Sequence, residues 1–172
     1  ALDCPMDVFL VRKLGVPGRE ELAMGAIASG GVRVINQDVL RHLSIPEDDV
    51  ARVAAQEQEV LEARERAYRG GRRAPNLHGK IAILVDDGLA TGASMKAAVR
   101  AVREQSPERI VVAAPLGEPG TCMEMEALAD EVVCVRKPSP MGGVGAWYRD
   151  FGQVSDQEVR ECLARVPQPE ES

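Results

Sequence analysis

Three short apolar runs, residues 81–85, 110–115 and 132–135, are each followed by a helical pattern at 92–104, 120–129 and 155–166. Nothing else constrains the fold of this chain as strongly. Each run is continuous rather than alternating, which is what a strand covered on both faces produces. Strand–helix alternation at this spacing predicts an α/β fold, a mainly parallel sheet flanked by helices and joined by right-handed crossovers. A fourth apolar run, residues 8–11, opens the chain. Between it and residue 81 the pattern changes. Residues 22–27 and 32–35 flank Ser29-Gly30-Gly31, an expected hairpin turn. A long helix is expected from about 46 to 69. Ser44 is its candidate cap, Pro46, Glu47, Asp48 and Asp49 suit its first turn, and Arg64, Arg66 and Arg69 suit its last. Val50, Val53, Ala54, Leu61 and Tyr68 share one stripe of it. The expected organisation is a single domain over 1–166, with the hairpin and long helix as insertions, and a frayed Pro-rich tail at 167–172.

Composition narrows the function classes. The 172 residues suffice for one hydrophobic core, and 3% aromatics means that core is built from Val, Leu, Ile, Ala and Met. A net charge of −6 argues against general nucleic-acid binding, which needs a basic face. The local cluster Arg69, Arg72 and Arg73 reads as a complement to a helix dipole. Four scattered cysteines without a C-x-x-C pair, and two histidines, argue against a zinc site. Cys134 and Cys162 are expected to be buried free thiols. No apolar stretch reaches the length of a membrane span and no signal peptide is visible, so no membrane partner and a cytoplasmic location are expected.

The chemistry concentrates in Ile83-Leu84-Val85-Asp86-Asp87-Gly88-Leu89-Ala90-Thr91-Gly92-Ala93-Ser94-Met95. A strand ends in two adjacent carboxylates, a short loop follows, and a helix opens at Thr91-Gly92. Ligands of open α/β sheets bind beyond the carboxyl ends of the strands, where this loop falls. A helix start offers unpaired N–H groups and a positive dipole end to an anion. Gly92 lets backbone approach that anion, Thr91 and Ser94 add hydroxyls, and Gly88 permits unusual loop dihedrals. Carboxylates beside an anion site make sense for a sugar phosphate, whose vicinal hydroxyls donate to them and whose oxygens share a cation with them. An ordinary strand end, with Thr91 capping a helix, is the plainer alternative. A Walker loop and G-x-G-x-x-G are both absent.

This run resembles the phosphoribosyl pyrophosphate signature of the type I phosphoribosyltransferases: four apolar residues, two acids, a small loop, then Thr-Gly and a small residue. The resemblance implies transfer of the ribose 5-phosphate group of phosphoribosyl pyrophosphate to a nitrogenous base or related acceptor, with release of pyrophosphate. It implies that Asp86 and Asp87 hold the ribose hydroxyls, with Asp87 a candidate base, and that Gly88, Ala90, Thr91, Gly92, Ala93 and Ser94 hold the 5-phosphate. Mg²⁺ carried with the pyrophosphate is the implied cofactor, small molecules of nucleoside metabolism the implied partners, and a homodimer the implied assembly.

Weaker likenesses lie on either side. Val11-Arg12-Lys13-Leu14-Gly15-Val16-Pro17-Gly18 is similar to the start of the flexible catalytic loop of adenine- and orotate-type members. That places Lys13, with Arg12 beside it, on the departing pyrophosphate; two solvated basic residues are the alternative. Val144-Gly145-Ala146-Trp147-Tyr148-Arg149-Asp150-Phe151 is similar to the hood of hypoxanthine-type members. Trp147 and Tyr148 would then stack on a flat base and Asp150 would lie near the metal, whereas aromatics packing a late loop onto the core is the plain reading. Family members also carry an earlier strand and loop for the pyrophosphate, so about 40–50 residues upstream are implied by the length of a βα unit. Without them, a non-catalytic sensor of phosphoribosyl pyrophosphate or a nucleotide is the competing expectation.

Overall fold

A computed structural model describes residues 4–72 and 74–165, so Arg73 and the expected tail at 167–172 lie outside the described residues. The chain divides into two compact units, one of residues up to Asn76 together with those from Val154 onward, the other of Leu77–Gln153.

The second unit holds the expected parallel sheet. Strands β4 (Ile81–Val85), β5 (Arg109–Leu116) and β6 (Glu131–Arg136) lie in the order β4-β5-β6, with Ala82 opposite Ile110 and Ala114 opposite Cys134. Helix α3 (Ala93–Arg103) joins β4 to β5 and α4 (Pro119–Glu126) joins β5 to β6. Two right-handed crossovers that step in the same direction across a sheet place both helices on one face. That face carries the core: Ala82, Ile110, Val112, Ala114 and Leu116 are buried with Met95, Val99 and Val102 of α3 and Cys122 and Met125 of α4. The opposite face differs from the expectation of two covered faces. Ile81, Ile83 and Val85 on β4 and Val133 and Val135 on β6 are exposed, Val135 by 77%.

The first unit is antiparallel. Strands β1 (Val11–Val16), β2 (Arg19–Ala28) and β3 (Arg33–Ile35) lie in that order. The β2–β3 hairpin turns at Ser29-Gly30-Gly31 as expected, with both glycines at positive φ. The expected parallel strand at 8–11 is corrected: the strand is Val11–Val16 and it runs antiparallel to β2. Leu14 and Val16 face the core while Lys13 is exposed, so the two-residue alternation marks the strand better than the continuous run before it does. The segment expected as a flexible loop is therefore ladder-paired up to Val16.

Helix α1 (Gln37–Leu43) is capped by the Asn36 side-chain oxygen, which accepts from Asp38 N at 3.1 Å and Val39 N at 3.3 Å. Ser44, expected to cap the long helix, instead closes α1 in the left-handed region, and Pro46 takes the cap position of α2 (Glu47–Arg69). Most of the rest of the α2 reading holds, although Arg64 falls before the last turn, which carries Arg66 and Arg69. Ala54, Leu61 and Tyr68 are buried, Val50 and Val53 pack on the cluster of Leu14, Val16, Met24 and Ile27, and Gly70 ends the helix at φ 59°. Arg69 does more than complement a dipole: it is buried between Asp7, at 2.8 Å, and Glu65, at 3.4 Å. Helix α5 (Asp156–Ala164), expected to follow β6 in the sheet, belongs instead to this unit. Its Asp156 accepts from the Tyr68 hydroxyl at 2.6 Å, which the carboxylate and burial together make harder to ionise. Cys162 on α5 is exposed rather than buried, and Cys122 is the thiol that is fully enclosed.

Candidate functional site

The carboxyl end of β4 leads into residues 86–92, whose backbone is fastened to the neighbouring strand end. Leu89 is buried and pairs with Gly117: its N–H donates to Leu116 O at 2.9 Å, and its carbonyl accepts from Glu118 N at 2.9 Å. The Ala90 carbonyl accepts from the Thr121 hydroxyl at 2.6 Å. The loop thus forms a short extension of the parallel ladder beyond β4, fastened to the neighbouring strand by bonds in which the side chains of Asp86, Asp87, Thr91 and Ser94 take no part.

Two glycines are required by this packing. Gly92 stands at φ 65°, a conformation that favours glycine, and a Cβ there would come within 2.6 Å of Thr121 Cγ2 and 3.2 Å of Met125 Cε. A Cβ on Gly88 would come within 2.9 Å of both Val144 methyls. Gly92 opens α3 without a side-chain cap, and Lys96 N makes the first helical bond, to Gly92 O at 2.8 Å. Thr91 Oγ1 accepts from Ala93 N at a long 3.4 Å. The next amides, of Ser94 and Met95, have no acceptor within the helix. The helix start is therefore open to an anion from the side where Thr91, Ala93 and Ser94 lie, Ala93 and Ser94 being exposed.

Asp86 and Asp87 stand side by side just before this turn. Asp86 Oδ1 accepts from Asp87 N at 2.9 Å. Burial pushes the Asp86 carboxyl above its ordinary range; the Asp87 N–H bond opposes that rise, and the charge of the Asp87 carboxylate adds to it. Among the described residues neither carboxylate takes part in an ion pair. Two adjacent acids without a counter-ion suit hydroxyl donors or a shared divalent cation. Among the described residues, no group of three or more His, Cys, Asp or Glu could hold a metal by itself. Asp150 is therefore not gathered with Asp86 and Asp87 into a cage.

The aromatic segment is brought to this loop through Tyr148 and Val144. The short 3₁₀ helix Val144–Trp147 packs Val144 on Gly88, and the Tyr148 hydroxyl donates to Asp87 O at 2.7 Å. The Tyr148 ring lies 5.2 Å from that of Phe151, tilted by 40°. Trp147 donates to Met141 O at 3.0 Å and remains 44% exposed. Arg12 and Lys13 belong to the other unit. There Arg12 pairs with Glu57 on α2, and Lys13 donates to Glu21 O at 3.2 Å.

Reading the sequence missed Thr121 and the span from Leu116 to Glu118. Their one signal was positional: they follow the strand next to β4, at its carboxyl end, where an α/β sheet gathers its site.

Known proteins place this geometry in context. The phosphoribosyl transferase domain, as a family, matches residues 10–146. Over 168 residues, 96% of this chain, the sequence is 44% identical to two Mycobacterium tuberculosis proteins provisionally named phosphoribosyl transferases, Rv0571c of strain H37Rv and MT0597 of strain CDC 1551. The chain spans 38% of the length of these relatives. The crystal structure of TT1426 from Thermus thermophilus is similar at a TM-score of 0.80 and 41% identity, covering 94% of this chain and 76% of that one.

Proposed function

Since the chain belongs to the phosphoribosyl transferase family, we propose that the protein containing it transfers the ribose 5-phosphate group of phosphoribosyl pyrophosphate to a nitrogenous acceptor. One observation carries the reading: an open helix start at Gly92 lies directly after two carboxylates that lack a counter-ion. The 5-phosphate rests on the amides at 93–95, with the hydroxyls of Thr91 and Ser94 beside it. The ribose diol donates to Asp86 and Asp87. In the reaction, the bond from the anomeric carbon to pyrophosphate breaks and a bond to the acceptor nitrogen forms on the opposite face. Positive charge builds on the ring as in glycoside chemistry, and the paired carboxylates favour it electrostatically. Anchoring the remote phosphate fixes the sugar for that displacement. Trp147 and Tyr148 border the acceptor side.

Asp86 and Asp87 fit Mg²⁺, which needs only one or two protein carboxylates when substrate oxygens complete its shell. When bound, the ion neutralises charge on the leaving pyrophosphate.

The test is magnesium-dependent release of pyrophosphate by the full-length protein with a panel of nitrogenous bases. The double variant Asp86→Asn, Asp87→Asn is expected to lower kcat/KM on the order of a hundredfold, the scale of removing a preorganised electrostatic contact. Unchanged kinetics in that variant would overturn the reading. Binding of phosphoribosyl pyrophosphate without turnover by any base would replace transfer with sensing.

A further inference from the structure

We propose that Thr121 is a positioning residue for the anion loop, an inference that rests on the phosphate site proposed at Gly92. Thr121 lies 31 residues from Ala90 in sequence, in the first turn of α4, and is 8% exposed. Its two branches do separate work. The hydroxyl donates to Ala90 O at 2.6 Å, and the methyl fills the space where a Cβ on Gly92 would stand, 2.6 Å away. One side chain therefore touches the loop on both sides of Thr91.

The consequence for an anion follows from the planarity of the peptide bond. In a trans peptide the carbonyl and the following N–H point in opposite directions. With the Ala90 carbonyl drawn toward Thr121, the Thr91 N–H faces the other way. The same contact keeps a carbonyl dipole, which would repel a phosphate, turned away from it. Thr121 is itself held in place, since its N–H donates to the Glu118 carboxylate at 3.1 Å, and the Glu118 N–H in turn bonds Leu89 O at 2.9 Å. The helix of the neighbouring strand thereby sets the peptide orientation of the phosphate loop.

Two substitutions in the full-length protein separate the branches. Thr121→Val keeps the shape and removes the hydroxyl; Thr121→Ser keeps the hydroxyl and removes the methyl. Ribose 5-phosphate binding by calorimetry is expected to weaken roughly tenfold in the Val variant, the scale of one lost hydrogen bond to a buried carbonyl, and to be largely retained in the Ser variant. With phosphoribosyl pyrophosphate as substrate, the Val variant should raise KM more than it lowers kcat. In the unliganded protein, amide exchange should quicken at Leu89, the loop amide bonded to Leu116 O, in the Val variant while the interior of β5 stays protected. Wild-type exchange in that loop of the Val variant would overturn the proposal, as would equal loss of binding in both variants. A wild-type protein that binds no ribose 5-phosphate would sink the functional reading alone, because the exchange measurement still decides what Thr121 does.

Discussion

Residues 86–94 and residues 12–13 both drew attention as charged segments next to a strand, and their surroundings are opposite in kind. In the first, the backbone is committed to the neighbouring strand, while the side chains of Asp86 and Thr91 bond only amides of their own loop. Leu89 and Ala90 are bonded to Leu116, Glu118 and Thr121, while the Asp86 and Asp87 carboxylates have no counter-ion among the described residues. In the second, both are committed: Arg12 and Lys13 lie in the β1–β2 ladder, Arg12 pairs with Glu57, and Lys13 bonds Glu21 O. Charge at a strand end is common. Charge left unpaired on a backbone held by other means is what a ligand site requires, because the fold does not consume the groups that must bind.

The sharpest way to break this contrast is to disturb the committed backbone. Gly92→Ala forces a side chain into a left-handed residue, at about 1–2 kcal/mol, and drives its Cβ to 2.6 Å from Thr121 Cγ2, an overpacking worth about 1–3 kcal/mol more. A loss of about 2–5 kcal/mol in denaturant unfolding is expected, together with loss of ribose 5-phosphate binding. Near wild-type stability and binding would mean that the loop is soft and that its side chains, not its backbone contacts, define the site.

How much of this could be read from residues depends on how local the causes are. The 83–95 run announced itself because strand, acids, glycine and helix start are contiguous and each element follows from its neighbours. The α2 stripe of Ala54, Leu61 and Tyr68 was visible for the same reason. Thr121 was not, because its role depends on β5 lying next to β4, and nothing in Glu118-Pro119-Gly120-Thr121 says which loop it will touch. Ser44 illustrates a second limit. A serine two residues before Pro46 fits a helix cap equally well whether it opens α2 or closes α1, and only the left-handed backbone at φ 50° decides for the latter. The exposed face of the β4-β5-β6 sheet is a third case. Continuous apolar strands carry the composition of a two-sided sheet, but composition does not say which element covers the second side.

The Asp86 carboxyl gives a smaller and signed test. Burial holds its folded-state pKa above its ordinary value of 3.8. Between that value and the raised one, the folded protein binds more protons than the unfolded chain. Stability therefore falls as pH rises through this window, and the penalty is complete at neutral pH. Asp86→Asn keeps an oxygen for the Asp87 N–H and removes the charge. It is expected to raise Tm at neutral pH, with the gain shrinking as pH falls through this window towards 3.8 and gone below it, while ribose 5-phosphate binding weakens. A lower Tm at neutral pH would show that the charge supports the fold, and would move Asp86 into the same class as Arg12.

The smallest effect is expected at Arg12 itself. Its side chain is 33% exposed and that of Glu57 27%, a half-open pair that salt screens. Arg12→Ala should cost less than about 1 kcal/mol, and the cost should shrink further at high salt. Lys13→Ala, which removes one exposed bond to a backbone carbonyl, should cost less still. Turnover measured on the same variants decides whether the contrast between the two segments is one of function as well as of packing. If pyrophosphate release falls roughly tenfold or more while Tm holds, a deficit of about 1.4 kcal/mol in the barrier, then the Glu57 pair is a resting contact that opens during reaction. In that case side-chain commitment in the free protein is no guide to what a residue does when substrate arrives.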